Sequence, residues 1–378
     1  MKKILTIIGA RPQIIKAAAI SRAVTKRNDV DEIIVHSGQH YDQNMSEVFF
    51  GELGIPKPKY NLNIGSGSHG RQTAKMIEAL ENVFIEENPD CVIVYGDTNS
   101  TLAGAVAASK LHVPIAHIEA GLRSFNMSMP EEINRIACDH LSSILFAPTR
   151  VAMENLKAEG FMTSHAQFSN GKGREVFNCG DVMYDNSIYF AQIAESSGVI
   201  LSALDLKPNC FILATIHRDS NTDNPESLNN IFRALSDISE TNKQTVVLPL
   251  HPRTAKLLRK NLNPEVYDKV IHSELIKIIE PVSFLDMIAL EKNASLVMTD
   301  SGGVQKESFF FERPCVILRP ETEWVEIVEH KAGVLTGADY DKIMNGYSNL
   351  SSKKVTFPKL FGDASAAEQI LDRITNYI

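Results

Sequence analysis

The chain has 378 residues, of which 44% are hydrophobic and 22% charged, and it carries a formal net charge of −8. This length exceeds the size at which one hydrophobic core usually stops growing, so we expect a globular protein of two domains. The acidic balance and the lack of any run of lysines or arginines argue against nucleic acid or an anionic membrane as a partner, although a small anionic substrate needs only a local positive pocket.

The cysteines and the apolar segments exclude further classes of protein. The five cysteines are scattered and form no CxxC pair, which argues against a disulfide framework and a thiolate zinc site. The first apolar run, Ile4–Ile8, is too short for the core of a signal peptide and suits a buried strand. No stretch approaches the roughly 20 apolar residues of a membrane span. These features predict a cytoplasmic protein.

The first half of the chain alternates short apolar runs with amphipathic segments. The predicted strands are Lys3–Ile8, Glu32–His36, Cys91–Tyr95, Val113–Ile118 and Ile144–Ala147. The predicted helices are Pro12–Lys26, Asp42–Leu53, Gly70–Glu87, Ser100–Leu111, Glu131–Leu141 and Arg150–Glu159. Strands rich in Ile and Val that alternate with helices are typical of a parallel sheet covered on both faces.

The same alternation restarts after a weaker stretch, which places a predicted linker near Asp181–Leu204. The predicted strands of the second half are Phe211–Ile216, Thr245–Pro249, Val270–Ile271, Ile276–Ile279, Ser295–Thr299 and Cys315–Leu318. The predicted helices are Pro225–Ser239, Thr254–Lys260, Ser283–Glu291, Gly303–Phe311 and a final amphipathic helix, Ser365–Ile378. The pattern predicts an α/β protein of two Rossmann-like domains with a cleft between them.

One segment of the first half carries the strongest chemical signal. The apolar run Val113–Ile118 places Glu119 at the carboxyl end of a strand, and Glu131 falls in the first turn of the next helix. Ligands of open α/β sheets bind beyond the carboxyl ends of the strands. Two carboxylates there, with Arg123 and Arg135, are typical of acid–base chemistry beside an anionic ligand. The alternative is a helix whose first turn carries acids to suit its dipole.

Two more strand ends in this half carry polar groups. Asp97 follows the run Cys91–Tyr95 after a single residue, Gly96, and helix capping alone would explain a single aspartate there. Three carboxylates converging on one sheet edge instead favour proton transfer. After the first strand, Arg11 and Lys16 are spaced so that both cations could face a ligand at the start of a helix.

The second half shows comparable groups at its strand ends. The segment Ala214–Arg218 ends a strand on His217, and His251 repeats this pattern more weakly. A later strand is followed by Asp300-Ser301-Gly302-Gly303 and a helix carrying Glu307. Backbone N–H groups at a glycine-rich helix start form a phosphate site without a metal. The alternative is a tight strand–helix turn with an acid at the helix start.

Two other motif matches do not carry a function. The segment Gly65–Gly70 spells GxGxxG, but a poor strand precedes it and no acid follows at the distance that dinucleotide binding needs. His117 and Glu119 spell the HxE of zinc deaminases, but no PCxxC follows.

Together, the motifs resemble the non-hydrolysing UDP-N-acetylglucosamine 2-epimerases across nearly the whole chain. The matching segments are Gly9-Ala10-Arg11-Pro12, Gly38-Gln39-His40, Gly96-Asp97-Thr98, His117-Ile118-Glu119-Ala120-Gly121-Leu122-Arg123, Pro130-Glu131-Glu132-x-Asn134-Arg135, Thr215-Ile216-His217-Arg218, His251-Pro252-Arg253 and Asp300-Ser301-Gly302-Gly303. One such tripeptide would be weak evidence, whereas all of them in order at matching spacing are strong evidence.

The resemblance implies a GT-B fold with three parts. Residues 1–182 would form the domain that holds the sugar and the catalytic carboxylates, 183–362 the domain that binds UDP, and 363–378 a helix that crosses back to the first domain. The implied catalytic residues are Asp97, Glu119, Glu131 and His217. The implied substrate-binding residues are Arg11, Lys16, Arg135, His251, Phe284 at the uracil, Ser301, Gly302 and Gly303 at the diphosphate, and Glu307 at the ribose.

The resemblance also implies a mechanism without nicotinamide or metal and a homodimer. UDP leaves C1 while a carboxylate takes the C2 proton, and UDP then adds back to the resulting 2-acetamidoglucal to give the C2 epimer. A GT-B glycosyltransferase is the strongest rival, but such an enzyme needs an acceptor and one base, so three converging carboxylates and His217 argue against it. A hydrolysing epimerase that releases UDP is a second rival.

Two departures concern the substrate and regulation. The N-acetylglucosamine enzymes typically read TERPE where this chain reads Thr322-Glu323-Trp324-Val325-Glu326. Together with Gly9-Ala10-Arg11-Pro12-Gln13 and His217-Arg218-x-x-Asn221-Thr222-Asp223, this segment resembles the branch that acts on UDP-2,3-diacetamido uronic acids. Gln39, His40 and Arg71 match the family's second, activating UDP-N-acetylglucosamine site, whereas Asp42 stands where a second glutamine is usual.

Overall fold

A computed structural model of the protein describes residues 1–39, 50–51, 53–163, 167–168, 170–197, 199–250 and 252–378. The chain forms two compact units. The first comprises Met1–Asn186 together with Lys359–Ile378, and the second comprises Ser187–Pro358. The predicted helix Asp42–Leu53 lies largely outside the described residues.

The first unit is built on a seven-stranded parallel sheet with the strand order β3-β2-β1-β4-β5-β6-β7. Its strands are β1 (Lys2–Ile8), β2 (Val30–His36), β3 (Tyr60–Asn61), β4 (Cys91–Tyr95), β5 (Ile115–Ile118), β6 (Ile144–Ala147) and β7 (Glu175–Asn178). Its helices are α1 (Arg11–Val24), α2 (His69–Glu87), α3 (Asn99–Lys110), α4 (Pro130–Leu141) and α5 (Arg150–Ala158), followed by a 3₁₀ turn at Phe161–Thr163.

The second unit contains a six-stranded parallel sheet with the order β10-β9-β8-β11-β12-β13. Its strands are β8 (Phe211–Thr215), β9 (Thr245–Pro249), β10 (Ile276–Ile279), β11 (Leu296–Thr299), β12 (Cys315–Ile317) and β13 (Gly333–Leu335). The helices from its start to the chain end are α6 (Val182–Ser197), α7 (Val199–Ala203), α8 (Asp219–Thr222), α9 (Pro225–Asn242), α10 (Pro252–Asn261), α11 (Pro264–Ile271), α12 (Phe284–Asn293), α13 (Gly302–Phe310), α14 (Val325–Glu329), α15 (Tyr340–Ser352) and α16 (Ala366–Tyr377). Helix α6 spans the boundary between the units, and α16 belongs to the first unit.

Apolar runs form the central strands because helices cover both faces of each sheet. Every residue of β4 and of β8 is buried, and burying a side chain of Val, Leu or Ile contributes about 1.5–3 kcal/mol. On the first sheet, Leu80 and Phe84 of α2 pack in one cluster with Val92 of β4. The expected α/β architecture with two Rossmann-like sheets is confirmed.

Helix α16, at the end of the chain, packs on the first unit. Its residues Ile370, Leu371 and Ile374 are fully buried, and the helix packs against α1. The Tyr377 hydroxyl donates to the carbonyl of Gly173 at 3.0 Å.

One predicted strand was wrong. Val270–Ile271 was predicted as a strand but ends α11, which begins after Asn263, whose side chain accepts from the Glu265 N–H at 3.1 Å. The segment Asp181–Leu204, predicted as the linker between the domains, contains the division between the two units at Asn186 and Ser187, and most of it is helical, in α6 and α7. No helix within the described residues is both long and apolar enough to cross a membrane.

Candidate active site

Most of the polar groups selected from the sequence follow strands near the topological switch point of each sheet. A switch point lies between two neighbouring strands whose connections run to opposite sides of the sheet. In the first unit β1 and β4 are neighbours although the intervening strands lie on the other side of β1. The second unit repeats this arrangement with β8 and β11. Such switch points are where α/β proteins bind ligands beyond the strand ends.

Lys16 and Glu119 meet at the first switch point. The Lys16 ammonium of α1 forms an ion pair with the carboxylate of Glu119, directly after β5, and only 12% and 10% of the two side chains are exposed. The backbone of Glu119 has a φ of 72°, a strained conformation for a non-glycine residue. The N–H groups of Glu119 and Ala120 both donate to the Phe146 carbonyl, at 3.1 and 3.0 Å, which holds this conformation.

Asp97 joins the same cluster from the end of β4. Its carboxylate accepts a hydrogen bond from Arg135 of α4. Burial raises the pKa of Asp97 above its ordinary value, the charges of Arg135 and Lys16 oppose the rise, and those of Glu119 and Glu131 add to it. Carboxyl groups that influence one another in this way at a sheet edge are suited to accept and donate protons.

Glu131 and Glu132 are adjacent in α4 but lie in different environments. Glu131 is exposed, whereas Glu132 is fully buried and accepts from the N–H groups of Ser124 and Phe125 at 3.0 and 2.8 Å. Arg135 also donates to Glu132 at 2.8 Å. Glu132 therefore holds the preceding loop in place, which leaves Glu131 as the acid of this pair that is open to solvent.

Arg123 does not belong to this cluster, contrary to expectation. Its guanidinium is buried and lies 2.7 Å from a carboxylate oxygen of Asp139. It also forms a bidentate ion pair with the carboxylate of Glu159, with N–H···O distances of 2.7 and 2.8 Å. His117 is also fully buried, with its Nδ1 2.7 Å from Asp139. Sequence position placed Arg123 near the strand end, but its side chain points into the interior of the unit.

His217 and Asp300 meet at the second switch point. The Nδ1 atom of His217 lies 3.0 Å from Oδ1 of Asp300, and Asp300 also accepts from the Arg218 N–H and from the Asn221 amide, at 3.1 and 3.0 Å. Burial alone would raise the pKa of Asp300, but the hydrogen bonds from His217 and Asn221 lower it below its ordinary value. Ionised Asp300 therefore fixes the His217 proton on Nδ1 and leaves Nε2 as an acceptor.

The start of α13 has the features of an anion site. The Ser301 hydroxyl caps the helix, and the helix begins with Gly302 and Gly303. A Cβ added at Gly302 would lie 3.7 Å from Nη1 of Arg319, and one at Gly303 would lie 3.9 Å from Oε2 of Glu307. Free N–H groups at a helix start, beside a guanidinium, form a favourable site for phosphate.

Arg319 and Gln13 are two residues of these regions whose contacts the sequence did not predict. Arg319 is buried and pairs with Glu323 at 2.8 Å; its place just after β12 was the available signal. The Gln13 amide donates to the Tyr95 carbonyl at 3.0 Å and accepts from the Ala10 N–H at 3.1 Å, so it joins the start of α1 to the end of β4. A glutamine within a helix gave no sign of this bridging role.

Four more predicted residues lie within the described part of the chain: Arg11, Gln39, Arg71 and Phe284. Arg11 is exposed at the start of α1, and the ring of Phe284 packs edge to face on Phe190 at 5.2 Å. The Gln39 amide oxygen accepts from the Ser100 hydroxyl at 2.7 Å. His40 and His251 lie outside the described residues. Arg71 lines a polar surface cavity of about 470 Å³ beside the loop 63–68.

The two parallel sheets with helices define a protein of the α/β class. A crystal structure of a UGT transferase from Siraitia grosvenorii in complex with UDP has the same fold, with a TM-score of 0.61 over 99% of this chain and 100% of that one, at 12% identity. At this identity the likeness concerns the fold alone.

Much closer relatives establish the family. The UDP-N-acetylglucosamine 2-epimerase family matches residues 22–375. The chain is 52% identical over 372 residues, 98% of each protein, to the UDP-2,3-diacetamido-2,3-dideoxy-D-glucuronate 2-epimerase of Pseudomonas aeruginosa. It is 44% identical over 377 residues, 99% of each protein, to the UDP-N-acetylglucosamine 2-epimerase of Methanocaldococcus jannaschii. A crystal structure of the Methanocaldococcus jannaschii UDP-GlcNAc 2-epimerase in complex with UDP-GlcNAc and UDP has a TM-score of 0.85 and 43% identity over 100% of both chains.

The chain therefore belongs to the UDP-N-acetylglucosamine 2-epimerase family, whose members named above are UDP-sugar 2-epimerases, a class of isomerase. The resemblance inferred from the motifs and the expected GT-B fold are both confirmed.

Proposed function

We propose that the protein interconverts UDP-N-acetylglucosamine and UDP-N-acetylmannosamine by elimination and readdition of UDP, through a 2-acetamidoglucal intermediate. The observation that carries the proposal is the cluster of Asp97, Glu119 and Glu131 with Lys16 and Arg135 at one sheet edge, in a chain of this family. The proposal assigns Asp97, Glu119, Glu131 and His217 to catalysis.

The chemistry explains why several carboxylates are needed. The C2 proton of the sugar is weakly acidic because C2 is not next to a carbonyl. Elimination solves this problem: the C1–O bond breaks with its electron pair going to UDP, a carboxylate takes the C2 proton, and the C2–H electron pair forms the C1=C2 bond. Carboxylates also stabilise the positive charge that develops at C1, as in glycoside hydrolysis. Readdition of UDP with protonation of the opposite face gives the epimer.

The second unit supplies the groups for the nucleotide. We assign the departing diphosphate to Ser301, Gly302 and Gly303 at the start of α13, with Arg319 beside them. Charge stabilisation there would favour cleavage of the C1–O bond. Glu307 would bind the ribose, and Phe284 would border the uracil.

The other substrate-side groups complete the proposal. Arg11, Lys16 and Arg135 would face the sugar or its phosphates, together with His251. As in the sequence-based expectation, we propose a homodimer in the cytoplasm, and we propose activation by a second UDP-sugar at Gln39, His40 and Arg71 as a separate point to test.

A second candidate substrate is UDP-2,3-diacetamido-2,3-dideoxy-glucuronate, converted by the same steps. Two observations favour it: the 52% identity to the Pseudomonas aeruginosa protein of that name and the segment 322–326, which departs from TERPE. The chain differs from TERPE at Trp324 and Val325, and Trp324 directly follows Glu323, which pairs with Arg319 beside the proposed diphosphate site.

The test is isotope incorporation with each UDP-sugar in D₂O, followed by NMR of the sugar. The proposal predicts deuterium at C2 in both epimers while the UDP-sugar stays intact. A substrate labelled with ¹⁸O in the C1–O bond should also scramble its label into the non-bridging β-phosphate oxygens, because the elimination frees UDP within the site. The Asp97→Asn protein serves as the matched control.

The outcomes separate the rival functions. Net release of UDP with free N-acetylmannosamine would identify a hydrolysing epimerase. Transfer of the sugar to an added acceptor without C2 exchange would identify a glycosyltransferase. Exchange with only the diacetamido uronate would select the second candidate, and no exchange with either sugar would refute both substrates.

A further inference from the structure

His117 is a buried residue that lies close in sequence to Glu119 and contacts Gly96, the residue before Asp97. It lies on β5, two residues before Glu119, and its side chain is inaccessible to solvent. Its Nδ1 lies 2.7 Å from Oδ1 of Asp139, and its Nε2 lies 2.8 Å from the carbonyl oxygen of Gly96. The imidazole thus joins α4 to the turn that precedes Asp97.

Both ring nitrogens face groups that accept hydrogen bonds. A backbone carbonyl can only accept, and an ionised carboxylate can only accept. Asp139 lies 2.7 Å from the Arg123 guanidinium. Although burial opposes ionisation, the hydrogen bond and charge of His117 and the charge of Arg123 lower the pKa of Asp139 below its ordinary value. An ionised Asp139 requires an N–H on Nδ1, and the Gly96 carbonyl requires an N–H on Nε2, so the ring carries both protons.

Both peptide groups that flank Gly96 are hydrogen-bonded to β5. The Gly96 N–H donates to the Ile118 carbonyl at 3.0 Å, and the Gly96 carbonyl receives the His117 Nε2–H. Gly96 has a φ of 62°, which glycine adopts without the strain that other residues incur. The Gly96–Asp97 peptide, whose carbonyl faces His117, sets the direction in which the chain presents Asp97.

Gly96 also forms the surface on which the Lys16–Glu119 pair lies. A Cβ added to Gly96 would lie 3.0 Å from Oε2 of Glu119 and 3.1 Å from Nζ of Lys16. A rotation of the Gly96 peptide would therefore displace two proposed catalytic carboxylates together. Reacting groups that are misplaced by about 1 Å can cost on the order of 10²-fold in rate.

We propose that His117 is a positioning residue of the epimerase, a doubly protonated imidazole that holds the Gly96 carbonyl and thereby fixes Asp97 and Glu119 relative to one another. This inference rests on the proposed function, because it concerns the same carboxylates. His117 touches neither carboxylate and acts through the Gly96 peptide.

Two amide substitutions separate the two hydrogen bonds of His117. In His117→Gln the side-chain amide nitrogen takes the place of Nε2 and can still donate to Gly96. In His117→Asn it takes the place of Nδ1 and can still donate to Asp139. Both variants are neutral and both remove the ring, so they differ mainly in which partner keeps a donor.

The expected result is a difference in kcat between these variants at similar KM. For His117→Asn we expect a loss of kcat of roughly 100-fold with KM within about 3-fold, since the misplaced groups act in the chemical step. For His117→Gln we expect kcat within about 10-fold of the wild type, because the Gly96 contact is retained. Urea unfolding and UDP binding by calorimetry show whether both variants remain folded.

A second measurement needs no variant activity. The wild-type protein with ¹⁵N-labelled histidine should show both His117 ring nitrogens protonated, in a signal that disappears in His117→Asn. A ring with a single N–H would overturn the inference. So would folded, active variants with equal kcat losses, or with a greater loss in His117→Gln. An inactive wild type would instead refute the proposed function, and the role of His117 with it.

Discussion

The Nδ1 atom of His217 lies 3.0 Å from Oδ1 of Asp300, a carboxylate that is fully buried at the end of β11. The N–H groups of His217 and Arg218 donate to the same carboxylate at 3.1 Å each. A buried ionised acid thus orients an imidazole whose side chain is 57% exposed. This arrangement resembles the acid–histidine pairs that fix a catalytic tautomer in other enzymes.

We expect Asp300→Asn to lower kcat by roughly 10²- to 10⁴-fold, because an amide no longer fixes the His217 tautomer. It should also lower the free energy of unfolding by about 1–3 kcal/mol, because buried donors lose their acceptor. His217→Asn should lower kcat with little change in stability, since His217 is exposed. Steady-state rates and urea unfolding distinguish the two effects. An Asp300→Asn protein with near-normal kcat would show that the pair is structural only.

Asp97→Asn should lower activity without lowering stability, unlike Asp300→Asn, which should lower both. Burial raises the pKa of Asp97, so its contribution to stability is fully present below the unfolded pKa and is lost as the pH rises through the folded one. At pH 7.5 the neutral asparagine should therefore leave the free energy of unfolding unchanged or higher. Activity should fall by roughly 10²- to 10⁴-fold, the range typical of a general acid or base.

Asp139→Asn is the matched control for this stability effect. The pKa of Asp139 is lowered, mainly by His117 and Arg123 against the effect of burial. Its contribution is therefore present at neutral pH and is lost only as the pH falls through the folded pKa. Urea unfolding at pH 7.5 should show Asp139→Asn destabilised and Asp97→Asn not. If both were destabilised equally, the ionised Asp97 would be a stabilising group.

The neighbouring acids of α4 provide a third test. Glu132 is buried, and although burial would raise its pKa, hydrogen bonds from the Ser124 N–H and from Arg135 lower it. Glu132→Gln should therefore lower the free energy of unfolding at pH 7.5 by about 1–3 kcal/mol. The exposed Glu131 should tolerate glutamine within about 0.5 kcal/mol but lose roughly 10²-fold or more in kcat if it transfers a proton. The reverse pattern in these assays would move the catalytic role to Glu132.

Hydrophobic runs predicted most of the fold because both sheets are buried on both faces. The runs at β1, β4 and β8 are mostly apolar where they are buried, and they were located correctly. Strand β7, Glu175–Asn178, was missed because it is a partly exposed edge strand that is defined by its pairing with β6. The error at Val270–Ile271 arose because two apolar residues at a helix end cannot be told from a short strand.

The candidate site was harder to predict in detail than in outline. The strand ends could be located from the sequence. Asp97 and Glu119 were therefore selected because both follow the carboxyl ends of strands in one parallel sheet. Whether Arg123 or Arg135 faces that edge depends on side-chain direction, which the spacing does not determine. The same limit applies to Arg319, whose place beside Gly302 depends on how two strands of the second sheet pack.

The raised pKa of Asp185 predicts a pH dependence at the start of α16. Its carboxylate accepts from the N–H groups of Ala366 and Ala367 at 3.2 and 2.8 Å, at the start of α16. Burial raises the pKa of Asp185 to about 6, Asp181 adds to the rise, and the two N–H groups and Arg22 oppose it. Because the folded pKa exceeds the ordinary value of 3.8, the stabilising contribution is complete below that value and is lost as the pH rises through about 6.

We therefore expect α16 to be held more firmly at pH 5 than at pH 7.5. Hydrogen–deuterium exchange of residues 366–377, corrected for intrinsic rates, should show greater protection at the lower pH. Asp185→Asn should reduce this difference, because the side chain is neutral at both pH values and still offers an acceptor to one N–H. Asp372→Asn, on the exposed face of the same helix, is the control and should leave the difference in place. Equal protection of α16 in the wild type at both pH values would show that Asp185 does not govern how this helix is held.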